Sequence, residues 1–236
     1  EVSAVPYDLT PPAAPQNLAA TSGNYEISIK WKKNSESDFK LYRIYQSTSP
    51  NASVQMDSVT NISDTTKIIS GLTAGVAYYF RITGVDSANN ISVYSNEVSA
   101  VPLDLTPPDA PQNLAATAGN YEITLNWTKN TSSDFKRYRI YGSTSPNASV
   151  QMDSTTGGIS DTAKTISGLT SGTTCYFRFT AVDSNFNVSP YSDEVSAVPL
   201  DLTAPASPQT LIASAGDGQV TISWRKNMES DFAKYR

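Results

Sequence analysis

The sequence contains no histidine and only one cysteine, Cys175, among 236 residues. The first absence removes the Ser-His-Asp and Cys-His nucleophile systems together with the commonest metal ligand. The second excludes an internal disulfide and any cysteine-built zinc cluster. Charge is scarce as well: 17% of residues are Asp, Glu, Lys or Arg, against about 25% in an ordinary globular chain. The net charge of -5 argues against a nucleic-acid groove or a patch for anionic membranes. No run of 18 apolar residues occurs, so no segment reads as a membrane-spanning helix. The fold must be held by core packing alone.

In place of charge the chain carries Ser, Thr and Asn, which favour strands, turns and polar faces over helices. It also repeats itself. Glu1-Val2-Ser3-Ala4-Val5-Pro6 recurs at Glu97 to Pro102 and at Glu194 to Pro199, spacings of 96 and 97 residues. Trp31, Trp127 and Trp224 keep the same rhythm, and Ser47 to Ser58 returns letter for letter at Ser143 to Ser154. The one-residue difference falls where Val59-Thr60-Asn61 becomes Thr155-Thr156-Gly157-Gly158, a glycine-bearing insertion that reads as a loop. Helical and leucine-rich solenoids have shorter periods, of about 20 to 50 residues, whereas a β-sandwich domain needs about 100.

Proline marks the boundaries, with four in the eleven positions Val101 to Pro111 and the same layout at Val5 to Pro15. The organisation expected is therefore residues 1–6 as the last strand of a preceding repeat, 7–102 and 103–199 as two complete repeats, and 200–236 as the first part of a third. Within each repeat, apolar and polar residues alternate as in half-buried strands. Tyr25, Ile27, Ile29 and Trp31 alternate with Glu26, Ser28 and Lys30, and the second copy reads Tyr121, Ile123, Leu125 and Trp127. Tyr42-Arg43-Ile44-Tyr45 matches Tyr138-Arg139-Ile140-Tyr141, and Tyr78, Phe80 and Ile82 alternate with Tyr79, Arg81 and Thr83. No segment sustains a 3.6-residue period, so essentially no helix is expected.

The order Leu18, Trp31, Tyr42-x-Ile44, Gly71-Leu72-Thr73-x-Gly75-x-x-Tyr78 and Glu97-Val98-Ser99-Ala100 resembles the fibronectin type III family. Asp38-Phe39-x-x-Tyr42 and Val85-Asp86-Ser87-Ala88-Asn89-Asn90 are similar to its bacterial, extracellular branch. The resemblance implies an all-β chain of tandem immunoglobulin-like sandwiches, each with seven strands in sheets of three and four. It also implies a core around Trp31, Trp127 and Trp224, with Tyr42, Tyr138 and Tyr78 packed beside them. One position departs from the pattern. Tyr78 lies seven residues after Gly71, but seven after Gly168 stands Cys175. The second repeat thus lacks the tyrosine corner, a hydrogen bond worth about 1 kcal/mol, and is expected to be the less stable, with Cys175 a buried inert thiol rather than a reactive one.

Acidic residues recur with the repeat: Asp38, Asp134 and Asp231, Asp86 and Asp183, Asp104 and Asp201. Copied carboxylates point away from a catalytic pair, which would occur once. Loop capping is the plain reading, and no cofactor is then needed. The sharper one is a calcium site at a module junction from Asp104, Asp134 and Asp183, since hard cations take several oxygen ligands. For binding, Phe186 replaces Asn89 in one loop, either as an exposed anchor or packed over its own loop. Tyr45 and Tyr141 are outward-facing candidates, as are Tyr79 and Tyr176.

The function expected is a non-catalytic structural or adhesive array of an extracellular or cell-surface protein, forming an extended rod or filament of modules roughly 33 Å long. The alternative is an accessory spacer, or a set of carbohydrate- or protein-binding modules, in a secreted multidomain hydrolase. Expected partners are neighbouring copies of the same repeat protein, a cell-surface protein or a polysaccharide. Nucleic acid and membrane insertion are not expected. Residues 1–6 and 207–236 hold too few strands to close a sandwich, so neighbouring copies are expected to complete them and to cover Trp224.

Overall fold

Each alternating segment forms a strand. The computed structural model describes residues 7–155, 160–229 and 232–235. The strand expected at 1–6, the inserted glycines at 157–158 and Asp231 lie outside these residues. The first module contains β1 (Gln16–Gly23), β2 (Glu26–Lys32), β3 (Phe39–Ser47), β4 (Val54–Val59), β5 (Thr66–Ser70), β6 (Tyr78–Asp86) and β7 (Val98–Ala100). The second contains β8 (Ala115–Gly119), β9 (Glu122–Asn126), β10 (Phe135–Ser143), β11 (Gln151–Ser154), β12 (Ala163–Ser167), β13 (Cys175–Asp183) and β14 (Val195–Ala197), and β15 (Gln209–Gly216) and β16 (Gln219–Arg225) form a further hairpin. Among the described residues there is no α-helix.

In the first module β1-β2-β5 make one sheet and β4-β3-β6-β7 the other; in the second, β8-β9-β12 face β11-β10-β13-β14. All pairings within these sheets are antiparallel. This is the expected arrangement of three strands against four. The chain divides into two compact units, one ending at Thr106 and one beginning at Pro107.

The strand faces that alternation assigned inward meet between the sheets. The exceptions are Tyr25 and Tyr121, expected at the head of those faces, which lie in the turns before β2 and β9 and are exposed. Ile27, Ile29, Trp31, Tyr42, Ile44, Tyr78, Phe80 and Ile82 are buried together in the first module. Ile123, Leu125, Trp127, Tyr138, Ile140, Cys175, Phe177 and Phe179 are buried together in the second. A fully buried side chain of this size contributes about 1.5–3 kcal/mol through removal from water. The tryptophan meets the tyrosine of the next strand edge-on, with centroids 5.2 Å apart in both Trp31–Tyr42 and Trp127–Tyr138. The tyrosine hydroxyl then accepts a backbone N–H, from Asn34 at 2.8 Å and from Asn130 at 2.7 Å. Trp224, Tyr235 and Asn227 repeat this motif.

Trp224 departs from the expected core role, being 42% exposed. Among the described residues β15 and β16 pair only with each other, so no facing sheet covers the ring. The expected cover from neighbouring copies has no counterpart within a single chain.

Two features hold the backbone where the strands alone do not. Beside β6, Ser92 and Ser95 place hydroxyls where ladder carbonyls would stand. Ser92 Oγ accepts the Gly84 N–H at 2.8 Å and Ser95 Oγ accepts the Ile82 N–H at 3.0 Å. Ser189 and Ser192 do the same for Ala181 and Phe179. The second feature concerns the proline-rich segment that leaves each module. Leu103 N–H donates to Gly23 O and Tyr25 N–H to Leu103 O, both at 2.9 Å, and Gly75 N–H donates to Pro102 O at 3.0 Å. Leu200, Tyr121 and Gly172 repeat these bonds, which is why the first compact unit runs on to Thr106.

Candidate functional site

The loops that carry the recurring carboxylates are built around one buried aspartate each. Asp86 ends β6 and is fully buried. Its Oδ1 accepts the Asn90 N–H at 2.8 Å, and its Oδ2 accepts the Asn90 side-chain amide at 2.8 Å. Asp183 ends β13, is equally buried, and caps its loop through Asn185 N, Asn187 N and Asn187 Nδ2. A charged carboxylate taken out of water must find such donors, and these short Asn-rich loops supply them. The adjoining aspartates act through the main chain: Asp38 O accepts Ser87 N–H at 2.8 Å, and Asp134 O accepts Ser184 N–H at 2.9 Å.

In the first module Asp8, Asp38 and Asp86 bring one carboxylate oxygen each within 4.8 Å of one another. Asp8 stands 96 residues before Asp104, a correspondence legible in the repeat. Of the residues proposed for calcium, Asp134 and Asp183 belong to the second unit, whereas Asp104 is a buried residue of the first. Asp104 Oδ1 accepts the Thr106 N–H at 3.0 Å, as Asp8 Oδ1 accepts the Thr10 N–H at 2.9 Å. Calcium takes six to eight oxygens, to which three carboxylates contribute one or two each. Capping, by contrast, engages both oxygens of Asp86 and of Asp183.

Among the aromatic candidates, Tyr45 and Tyr141 are not exposed as expected. They retain only 8% and 9% of their accessibility. Both point away from the core, but each is covered by a second ring: Tyr94 lies edge-on to Tyr45 and Tyr191 edge-on to Tyr141, centroids 5.0 Å apart in each pair. Arg81 stacks over Tyr94 at 4.0 Å, donates to Ala52 O at 2.7 Å and approaches Glu97 at 3.7 Å. Glu97 in turn accepts the N–H groups of Asn51 and Ala52. Arg178, Tyr191, Glu194, Asn147 and Ala148 form the same lock. The Asn147 and Ala148 amides, with Arg178 beside them, hold Glu194 below the usual glutamate range. Within the repeated segments Ser47–Ser58 and Ser143–Ser154, Asn51-Ala52 and Asn147-Ala148 are threaded into the lock, and Ala52 and Ala148 are fully buried.

Phe186 is 61% exposed, with a backbone φ of 69°. Lys136 lies over its ring at 4.1 Å. In the first module Asn89, at φ 71°, takes the Lys40 ammonium on its Oδ1 at 2.9 Å. The two loops thus hold the same lysine by different chemistry. Tyr79 and Tyr176 are half-buried. Cys175 is buried, with Sγ 3.6 Å from Thr173 O, and burial pushes its thiol pKa up. The thiolate needed for nucleophilic chemistry is thereby disfavoured.

A cleft of about 380 Å³ beside β15 and β16 is lined by Pro208, Arg225 and Met228, and the two complete modules hold smaller ones. One of about 130 Å³ is lined by Ala13, Lys33 and Glu36, and one of about 210 Å³ by Asp109, Lys129 and Asn130. Ligand pockets usually measure about 300–1,000 Å³. No described helix is long and apolar enough to cross a membrane.

Comparison with known proteins agrees with this architecture. The sequence model of the fibronectin type III domain matches residues 13–101 and 109–198. Chitinase A1 of Niallia circulans is 34% identical over 200 residues, covering 81% of this chain and 26% of that protein. Exoglucanase B of Cellulomonas fimi is 29% identical over 209 residues, covering 82% and 17%. A Kelch domain-containing protein of Saccharolobus solfataricus is 27% identical over 217 residues, covering 91% and 27%. The chain thus spans about a quarter or less of these curated relatives, and its matches to the two hydrolases cover only their fibronectin type III portion.

Proposed function

The chain belongs to the fibronectin type III domain family, and from that premise we propose that its modules are non-catalytic spacers in a secreted multidomain protein, of the kind that accompanies polysaccharide-degrading catalytic domains. The observation that carries this reading is the partial match to a chitinase and an exoglucanase. What is shared is the β-sandwich module, which is itself non-catalytic. Several features of the molecule support it. The buried aspartates cap their own loops, the one thiol is buried, and the outward tyrosines of β3 and β10 are tied into a structural lock. These residues serve the framework.

The test is to incubate the chain with insoluble chitin, microcrystalline cellulose and starch. The protein is expected to stay in the supernatant and release no reducing ends. Reducing ends would overturn the non-catalytic reading. Retention in the pellet would replace the spacer with a binding module, and loss of that retention in Phe186→Ala would locate its contact.

A second reading, lateral assembly with neighbouring copies into a filament or adhesive surface, is favoured by one observation. Strand β4 is a sheet edge, and Val54 beside Met56 is 69% exposed; Val150 beside Met152 on the matching edge is 70% exposed. Unprotected apolar edges recruit other strands. Sedimentation velocity over a hundredfold concentration range checks this: a concentration-dependent larger species supports assembly, and an unchanging monomer refutes it.

A further inference from the structure

We propose that Asn24 and Asn120 are clasp residues, which convert the proline-rich segment leaving each module from a tether into a fixed exit. Each asparagine sits at the tip of the first hairpin of its module, and its amide works in both directions. Asn24 Oδ1 accepts the Leu105 N–H at 2.8 Å, while Asn24 Nδ2 donates to Thr106 Oγ1 at 3.0 Å. In the second module Asn120 Oδ1 accepts the Leu202 N–H at 2.7 Å, and Asn120 Nδ2 donates to Thr203 Oγ1 at 3.3 Å. The main chain on either side is already paired, with parallel bridges joining Asn24 to Leu103 and Asn120 to Leu200.

The clasp extends through the backbone donors of the segment. Leu103 N–H is taken by Gly23 O, Leu105 N–H by the asparagine, and Thr106 N–H by Asp104 Oδ1 at 3.0 Å. Pro107 and Pro108 follow; they carry no N–H and are stiff by their own rings. The segment is therefore fixed by the hairpin up to the point where proline takes over. The hairpin tip itself takes a left-handed backbone. Tyr25 and Tyr121 both adopt φ 54°, in the left-handed region that favours glycine, and the third copy has Gly218 there at φ 65°. That copy also has Asp217 in place of the asparagine. Aspartate can accept an N–H but, ionised, cannot donate, so the two-way clasp requires the amide.

This inference takes its purpose, though not its geometry, from the spacer reading: a fixed exit transmits a module's orientation where a tether would lose it. The test is amide hydrogen exchange and ¹⁵N relaxation on the labelled chain and on Asn24→Ala, Asn24→Asp and Asn120→Ala. In the wild type, Leu103 and Leu105 should be protected, with order parameters near the rigid-backbone value of about 0.85. In Asn24→Ala, exchange at Leu105 should rise about two- to tenfold, the effect of one net hydrogen bond, and the order parameters of Leu105 and Thr106 should fall. Asn24→Asp should keep Leu105 protected while loosening Thr106, and Asn120→Ala should reproduce the alanine effect at Leu202. Unchanged amides in β3 and β6 would show that the fold is intact. Free-peptide exchange at Leu105 in the wild type, or no change in either alanine variant, would overturn the proposal. The polysaccharide pelleting experiment decides the spacer reading independently of these outcomes.

Discussion

The two complete modules have one framework and differ at a small group of core positions whose effects oppose each other. In the first, Tyr78 Oη accepts the Thr73 N–H at 3.2 Å and closes the corner. In the second, Cys175 stands there and that bond is gone, a loss of about 1 kcal/mol. Where the first module has Ile82, the second has Phe179, fully buried and edge-on to Trp127 at 4.7 Å. Such an aromatic pair contributes about 0.5–1.5 kcal/mol beyond its buried area. A third exchange is coupled to these. Phe39 is buried beside Gly84, where a Cβ would come within 2.5 Å of its ring. The second module has Ala181 opposite, and Phe135 is only half-buried. The comparison sets a missing hydrogen bond, which the sequence displays plainly, against an added ring four residues further along the same strand, β13.

The sharpest way to break the comparison is to remove one centre. Trp31→Ala should cost about 3–5 kcal/mol and unfold the first module while amide protection persists in β9, β10 and β13; Trp127→Ala should do the reverse. If either variant unfolds both, the cores are not separate. Next comes Gly84→Ala, which transplants the second module's solution. It should push Phe39 outward and cost about 1–3 kcal/mol by overpacking, read as a lower denaturation midpoint of the first module. Tyr78→Phe should cost about 1 kcal/mol in the same module, and no change there would mean the corner bond is idle.

These residues also show what could be read from the sequence. The strands, their inward faces and the core tryptophans followed from alternation and from the repeat, because each is a local pattern with a period of two. The loss of the corner at Cys175 followed from counting seven positions. Burial of Tyr45 was not legible, because its cover comes from Tyr94 and Arg81, far along the chain, on a face that alternation marks as outward. The hydroxyls of Ser92 and Ser95 standing in for ladder carbonyls, and the Asn24 clasp, were hidden for the same reason: they bridge distant segments. Asp8 was available in the repeat spacing. Trp224 was assigned to a core from its pattern, and it is exposed because β15 and β16 have no facing sheet among the described residues.

Acid offers a gentler contrast. Hydrogen bonds from Lys67 to Asp57 and from Lys164 to Asp153 lower both aspartates, and the Asn147 and Ala148 amides lower Glu194. A carboxylate depressed in the folded state stabilises above its ordinary value, 3.8 for these aspartates and 4.5 for the glutamate. That contribution disappears as pH falls through the depressed value, because the unfolded chain binds protons first. Melting temperatures should therefore hold from neutrality to about pH 4.5 and then decline. Glu194→Gln should flatten the decline of the second module more than that of the first. An unchanged decline of the second module in Glu194→Gln would remove Glu194 from the account.

Scanning calorimetry of the wild type beside Phe179→Ile tests most directly the claim that a lost corner bond is offset by a larger aromatic core. The account predicts wild-type transitions within a few degrees of each other. It also predicts that Phe179→Ile lowers only the second module's transition, by about 4 °C or more. A second module already melting far below the first in the wild type, or one unmoved by Phe179→Ile, would contradict it.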